Sequence, residues 1–213
     1  DFPILLIPTI SRFFVRDADI VIANHWPVAE PVFRLPSSKG KKYYYIRDIE
    51  QWAPYFALEV EAFSLPMERL VTTEFIRSYL ENELGLGVSA TIRNGFNAAE
   101  FLAPVKIGGD GCTVSMIYSI HPMKGMEDGI NCLRQIKSHY PAIKVLLFGF
   151  NKKPDLDFDF EYVYRPVKER LRQVYLETDI FLCPSIQEGW HNPPSEAMAA
   201  GCALVATKVG SVP

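Results

Sequence analysis

The chain has 213 residues, 48% hydrophobic, 13% aromatic and 22% charged, enough to bury a sizeable core in one large or two small domains. A net charge of −3 and a pI near 5.9 leave no basic footprint, which argues against nucleic acid as a partner. The four cysteines, Cys112, Cys132, Cys183 and Cys202, lack C-x-x-C spacing and read as buried thiols of a reducing compartment, not as a zinc site or disulfide framework.

The opening run Phe2-Pro3-Ile4-Leu5-Leu6-Ile7-Pro8 is too short to span a bilayer and has neither a basic n-region nor a small-residue cleavage site. The chain starts at Asp1 instead of Met and stops just after a predicted strand, so we expect a segment of a longer protein. Short apolar runs then alternate with helical patterns, the signature of an α/β fold with parallel strands. Strands are predicted over 19–23, 42–46 and 69–72, and a short helix over 56–63. Residues 74–84 are amphipathic, with Phe75, Ile76, Tyr79 and Leu80 at helical spacing and Gly85 as the C-cap. A strand over 89–93 ends at the Asn94-Gly95 turn signal.

Periodicity vanishes from 98 to 111, where Pro104, Gly108, Gly109 and Gly111 accumulate. This places a domain boundary between residues 1–104 and 105–213. The pattern then restarts: strand 113–118, helix 126–139, strand 144–148, a polar loop holding Asp155, Asp157 and Asp159, strand 161–164, helix 167–177, strand 180–183, a further helix and strand 203–206. The expected architecture is two Rossmann-like halves joined by one linker.

Gly85-Leu86-Gly87-Val88-Ser89-Ala90 fits a dinucleotide fingerprint in letters, but it follows a helix and precedes a strand, the reverse of the order the mechanism requires. Asp155-Leu156-Asp157 likewise fits a D-x-D motif in letters only, since it sits in a polar loop and not at a strand end. Trp52, Tyr55 and Phe56 could stack on a sugar, although helical spacing favours an aromatic core.

The chemistry concentrates near the end. In Ser185-Ile186-Gln187-Glu188-Gly189-Trp190-His191-Asn192-Pro193-Pro194-Ser195-Glu196, two carboxylates stand eight positions apart around a helix start. Asn192 is the expected N-cap and Pro193 the first helical residue, whose missing N–H has no partner there anyway. Free N–H groups and the positive helix end suit an anion, and the two glutamates suit sugar hydroxyls. Lys124-Gly125, between a strand and a helix, combines a cation with a glycine-opened helix N-terminus, a natural diphosphate site.

The string from Pro184 to Gly201 resembles the E-x7-E signature of the GT-B glycosyltransferase family 4, also called glycosyl transferases group 1. Lys124-Gly125 resembles the family's K-G element, and Ile92-Arg93-Asn94-Gly95-Phe96-Asn97 through Phe101 its I-P-N-G-V-D…F element. The resemblance implies a GT-B fold with an acceptor-side domain and a donor-side domain, both incomplete in this chain. It also implies a retaining, metal-independent transferase of the hexosyltransferase type, with no cofactor beyond the nucleotide-sugar substrate.

By the same resemblance Glu188 lies against the donor sugar, Glu196 accepts from the ribose and Lys124 neutralises the diphosphate, with Gly189, Trp190, His191 and Asn192 lining the donor. Ser119 stands where members usually carry a phosphate-binding Arg, and His121 or Arg165 could substitute. Arg165, Pro166 and Val167 match the turn that contacts the nucleotide base. Arg47-Asp48 matches a His-Asp pair near the reacting sugar, which makes Asp48 a catalytic candidate, and the stretch through Trp52 resembles the bacterial rhamnosyltransferase branch.

The implied partners are a UDP-, GDP-, ADP- or TDP-linked sugar and a glycan or lipid-linked acceptor in polysaccharide biosynthesis. The implied location is the cytoplasm, with room for peripheral contact at the inner face of the membrane. Ser119, Arg47 and His191 (at a family Gly position) keep open a non-catalytic sugar-nucleotide-binding or scaffold role. An epimerase of the same architecture is a further alternative, and a dinucleotide oxidoreductase is disfavoured.

Overall fold

A computed structural model of the protein describes residues 4–102 and 112–212. The chain divides into two compact units, Asp1–Asn94 and Gly95–Pro213. The boundary expected at 104/105 lies outside the described residues. The observed division comes earlier because Phe101 is buried in the second unit's core. Arg172 also donates to the carbonyls of Glu100 (2.9 Å) and Leu102 (3.1 Å).

The first unit is built on strands β1 (Ile20–Ala23), β2 (Lys41–Ile46), β3 (Glu68–Val71) and β4 (Ala90–Thr91), all parallel and in that spatial order. The strand expected over 89–93 keeps only two paired residues. Helices α1 (Trp26–Phe33), α2 (Phe56–Phe63) and α3 (Glu74–Ser78) connect the strands. The helix expected over 74–84 is α-helical for its first five residues and continues as a π-helical turn, Tyr79–Glu83, before Gly85 ends it at φ 64°. The sequence reading missed α1. Pro27 falls in its first turn, where an absent N–H is harmless, and Pro31 interrupts its interior. Burial of Ala29 and Val32 against the core nevertheless holds this short helix.

The second unit carries strands β5 (Thr113–Ile117), β6 (Lys144–Gly149), β7 (Glu161–Tyr164), β8 (Ile180–Cys183) and β9 (Ala203–Ala206). They form one parallel sheet in the order β7-β6-β5-β8-β9. Helices α4 (Met126–His139), α5 (Lys168–Glu177) and α6 (Asn192–Ala199) cross between them. Separate apolar clusters around Phe148, Tyr175 and Phe181 and around Met116, Leu133 and Leu147 form the core. Thr178 Oγ1 donates to Ser115 Oγ (2.8 Å), so a buried polar pair is satisfied where α5 returns to the sheet.

The order of this sheet decides where chemistry can sit. The chain builds outward from β5 through β6 and β7, then crosses back to place β8 on the other side of β5. The carboxyl ends of β5 and β8 therefore flank a topological switch point, where the following loops diverge and leave a crevice.

Candidate functional site

Both loops at that switch point carry the residues singled out in the sequence. After β5, Ser119 Oγ accepts from the His121 amide (3.2 Å), and His121 Nδ1 accepts from the Met123 amide (3.3 Å). These bonds fold 119–124 into a tight turn that presents Lys124. Gly125 follows at φ 62°, and a Cβ there would stand 1.9 Å from the Pro184 carbonyl oxygen, so only glycine lets the two loops approach this closely. The Ile186 amide closes the gap by donating to the Met123 carbonyl (2.8 Å).

Lys124 and Glu188, distant in sequence, meet here. Lys124 Nζ lies 2.6 Å from Glu188 Oε1, with the glutamate side chain 12% exposed and the lysine 34%. Ser185 Oγ donates to the same oxygen at 2.8 Å. Gly210, at φ 59°, packs beneath the loop, where an added Cβ would meet Trp190 O at 2.8 Å and Glu188 Cβ at 2.9 Å. The Ser211 amide donates to Trp190 O (2.8 Å), so the segment after β9 braces the glutamate loop.

At the start of α6 the structure corrects the sequence reading. His191, not Asn192, is the capping residue. It has φ 84° and makes no side-chain cap, Asn192 is the first helical residue, and Pro193 is displaced to the second position. A left-handed histidine costs about 1–3 kcal/mol and persists only where its surroundings hold it. Here the imidazole turns inward: Nε2 lies 3.0 Å from Cys183 Sγ and 3.4 Å from Glu188 Oε1. Burial pushes the His191 pKa down and lifts the Cys183 thiol to about 12, so both are neutral near pH 7. His191 Nδ1 and Trp190 Nε1 are buried without a hydrogen-bond partner.

The shift has a chemical consequence. Pro193 and Pro194 occupy the first turn of α6 and bring no N–H groups, so this helix end offers an anion fewer donors than expected. The N-terminus of α4, opened by Gly125, keeps its N–H groups beside Lys124. A cavity of about 30 Å³ lined by Lys124, Cys183, Ser185, His191 and Pro193 lies between the two helix starts.

Glu196 is half-buried on α6, and its Oε2 accepts from the Tyr175 hydroxyl of α5 at 3.0 Å. Burial raises its pKa, and the tyrosine bond opposes that rise. Arg165, at φ 46°, lays its guanidinium over the Tyr164 ring at 5.1 Å, and its amide donates to the Gly149 carbonyl (2.8 Å). Val167 is exposed at the turn into α5, and Pro166 lies between the two. Ser119 is engaged in its own loop and adds no charge. Asp48 belongs to the first unit, at the end of β2, where Oδ1 accepts from the Ile49 amide (2.8 Å).

The structure thus brings Lys124, Ser119, Glu188, Gly189, Trp190, His191 and Asn192 to one crevice. Ser185, Tyr175, Cys183 and Gly210, which support them, were not identified from sequence. The repeated small and polar residues around the glutamates gave no signal of which would pair. Among the described residues no group of three or more His, Cys, Asp or Glu is placed to hold a metal ion. No helix among them is long and apolar enough to cross a membrane.

Residues 111–213 match the family model described as Glycosyl transferases group 1. No curated protein matches the chain. Among solved structures, sucrose-phosphate synthase from Thermosynechococcus elongatus is similar at TM-score 0.70 and 16% identity, over 90% of this chain and 56% of that one. TarM is similar at TM-score 0.73 and 17% identity, over 89% and 41%. A trehalose-6-phosphate protein from E. coli bound with UDP-2-fluoro glucose is similar at TM-score 0.68 and 12% identity, over 92% and 60%. At these identities the likeness speaks to fold, the two-domain α/β fold of GT-B type. The chain spans between 41% and 60% of the three proteins' lengths.

Proposed function

We propose, from the match of residues 111–213 to the glycosyl transferases group 1 model, that the protein transfers a sugar from a nucleotide-sugar donor to an acceptor hydroxyl. The observation that carries this reading is the convergence of Lys124, Ser185 and Glu188 at the β5/β8 switch point, with Glu196 held by Tyr175 on the adjoining helix. Lys124 and the open N-terminus of α4 supply positive charge and donors for a diphosphate, whose negative charge grows as the sugar departs. Glu188 is the acceptor for the hydroxyls of the transferred sugar. Glu196, its carboxylate oriented by Tyr175, is the acceptor for the ribose. The exposed Val167 and the turn through Arg165 and Pro166 form the base contact.

A hexosyl donor, retention of configuration and independence from metal are parts of the same proposal, and rest on the family resemblance. The UDP-2-fluoro glucose held by the E. coli protein of like fold supports a hexosyl donor. Asp48, on the first unit, is the acceptor-side candidate, and the acceptor is a glycan or a lipid-linked sugar. A cytoplasmic enzyme using soluble nucleotide sugars, with peripheral access to a membrane-borne acceptor, fits these roles.

Calorimetric titration of UDP, GDP, ADP and TDP tests the donor site. One diphosphate should bind, and Lys124→Ala and Glu196→Ala should each weaken it at least tenfold, on the order of 1.4 kcal/mol or more. Binding that both substitutions leave unchanged would remove the donor site from this crevice.

A further inference from the structure

We propose that the Lys124–Glu188 ion pair makes the site discriminate between an intact nucleotide sugar and the free nucleoside diphosphate, favouring the former. The inference rests on the nucleotide-sugar reading of the crevice. Its starting point is that Lys124, the one cation that this crevice directs at Glu188, is already engaged by a carboxylate at 2.6 Å. Ser119 brings no charge to the same loop, and His191 is neutral and turned toward Cys183. Pro193 and Pro194 withhold donors at the start of α6. A diphosphate entering the crevice must therefore take its charge partner from Glu188.

What happens to Glu188 next depends on the ligand. Its side chain is largely buried, its hydrogen-bond donors are Lys124 and Ser185, and the neutral His191 ring stands 3.4 Å from the same oxygen. Once Lys124 turns to a phosphate, the carboxylate keeps Ser185 and faces a second anion in a poorly solvated place, which is unfavourable. A sugar attached to the diphosphate offers hydroxyl donors to that carboxylate and restores what Lys124 gave. A bare diphosphate offers none. Loss of the sugar by transfer would thus leave Glu188 with Ser185 but no charge partner, and its return to Lys124 competes with the product for the same ammonium. The glutamate that accepts from the sugar also speeds departure of what remains.

The test is calorimetry on the wild-type protein and Glu188→Gln with UDP, GDP, ADP and TDP and with the glucose ester of each. Glutamine keeps the shape and removes the charge. The bare diphosphate should bind Glu188→Gln at least tenfold more tightly than wild type, while the sugar nucleotide gains less than threefold or binds more weakly. Unchanged or weaker diphosphate binding in Glu188→Gln, with wild-type binding intact, overturns the inference and leaves the donor-site reading standing. Equal tightening for both ligands also overturns it, since Glu188 would then only compete for charge. If neither folded protein binds any of the eight ligands, the donor-site reading falls and the inference with it. Ser185→Ala supplies the second arm should Glu188→Gln not fold. Stripped of its other donor, Glu188 depends more on Lys124, so bare-diphosphate binding should weaken about threefold; no change, or tightening, counts against the proposal.

Discussion

Glu59, on α2, shows what an incompletely compensated carboxyl does to this protein. It is 4% exposed and lines a cavity of about 120 Å³ with Asn24, His25, Trp26, Arg47, Asp48 and Glu50. Burial lifts its pKa from an ordinary 4.5 to about 7; the Glu50 amide, which donates to Oε2 at 2.9 Å, opposes the rise, and the charges of Glu50 and Asp48 reinforce it. The folded state therefore holds a proton that the unfolded chain has released. Stability from this group is full below about pH 4.5 and is lost as pH climbs to about 7, since the unfolded state binds fewer protons across that window. Glu59→Gln keeps the acceptor for the Glu50 amide and removes the titration. In urea unfolding at pH 5 and pH 8 the variant should gain on wild type at the higher pH; a difference independent of pH would mean that Glu59 ionises freely in the fold. Spacing along the chain made Lys124, Glu188 and Glu196 legible, because each lies at a fixed offset from a strand or helix start. Ser185, Tyr175 and Cys183 were not, since their roles arise from tertiary pairing. The misplaced cap has a similar origin: Pro193-Pro194 fits any first turn, and nothing in the letters marks His191 as left-handed.

At the scale of elements, the contact between α4 and the sheet is tight enough to set two effects against each other. Gly129 lies within α4, where replacement by alanine should gain about 1 kcal/mol of helix propensity. An added Cβ, however, would stand 2.4 Å from Met116 Sδ and 2.8 Å from Pro184 Cγ. Met116 is fully buried, and Pro184 is fixed at the end of β8, so neither can step aside freely. Overpacking of this kind costs about 1–3 kcal/mol and outweighs the propensity gain. Gly129→Ala should lower the unfolding free energy measured in urea by up to about 2 kcal/mol net; a stabilised variant would show that Met116 repacks without cost. The same element was among the easiest to read from sequence, because an amphipathic period sustained over 14 residues leaves few alternatives. Strands β7, β8 and β9 matched their expected bounds for a related reason: each is a short run rich in β-branched, aromatic or other apolar residues bounded by loops, with β8 buried inside the parallel sheet and β7 and β9 at its edges. Helix α1 escaped because two prolines mask a helix that tertiary burial sustains, and the α3 region broke into a π turn that no periodicity encodes.

For the molecule as a whole, each unit owns a parallel sheet and its own apolar core, and every donor-side residue proposed above comes from the second. The nucleotide should therefore act on the folding equilibrium of the unit that binds it. A ligand that binds only the native state stabilises it by RT ln(1 + [L]/Kd), about 2.7 kcal/mol at a hundredfold excess over Kd. Amides of β5 and β8 flank the crevice and pair with each other, so they exchange with solvent only when the sheet opens. Saturation with the preferred diphosphate should slow their exchange about a hundredfold, the same factor expressed as a rate. Amides of β2 and β3 serve as the internal reference, because no donor contact is assigned to the first unit. Hydrogen exchange read by mass spectrometry separates the outcomes. Slowing confined to β5, β8 and the start of α6 supports a donor site built on the second sheet alone. Equal slowing in β2 and β3 would show that the nucleotide also stabilises the unit carrying Asp48, and the division of roles between the two units would have to be redrawn.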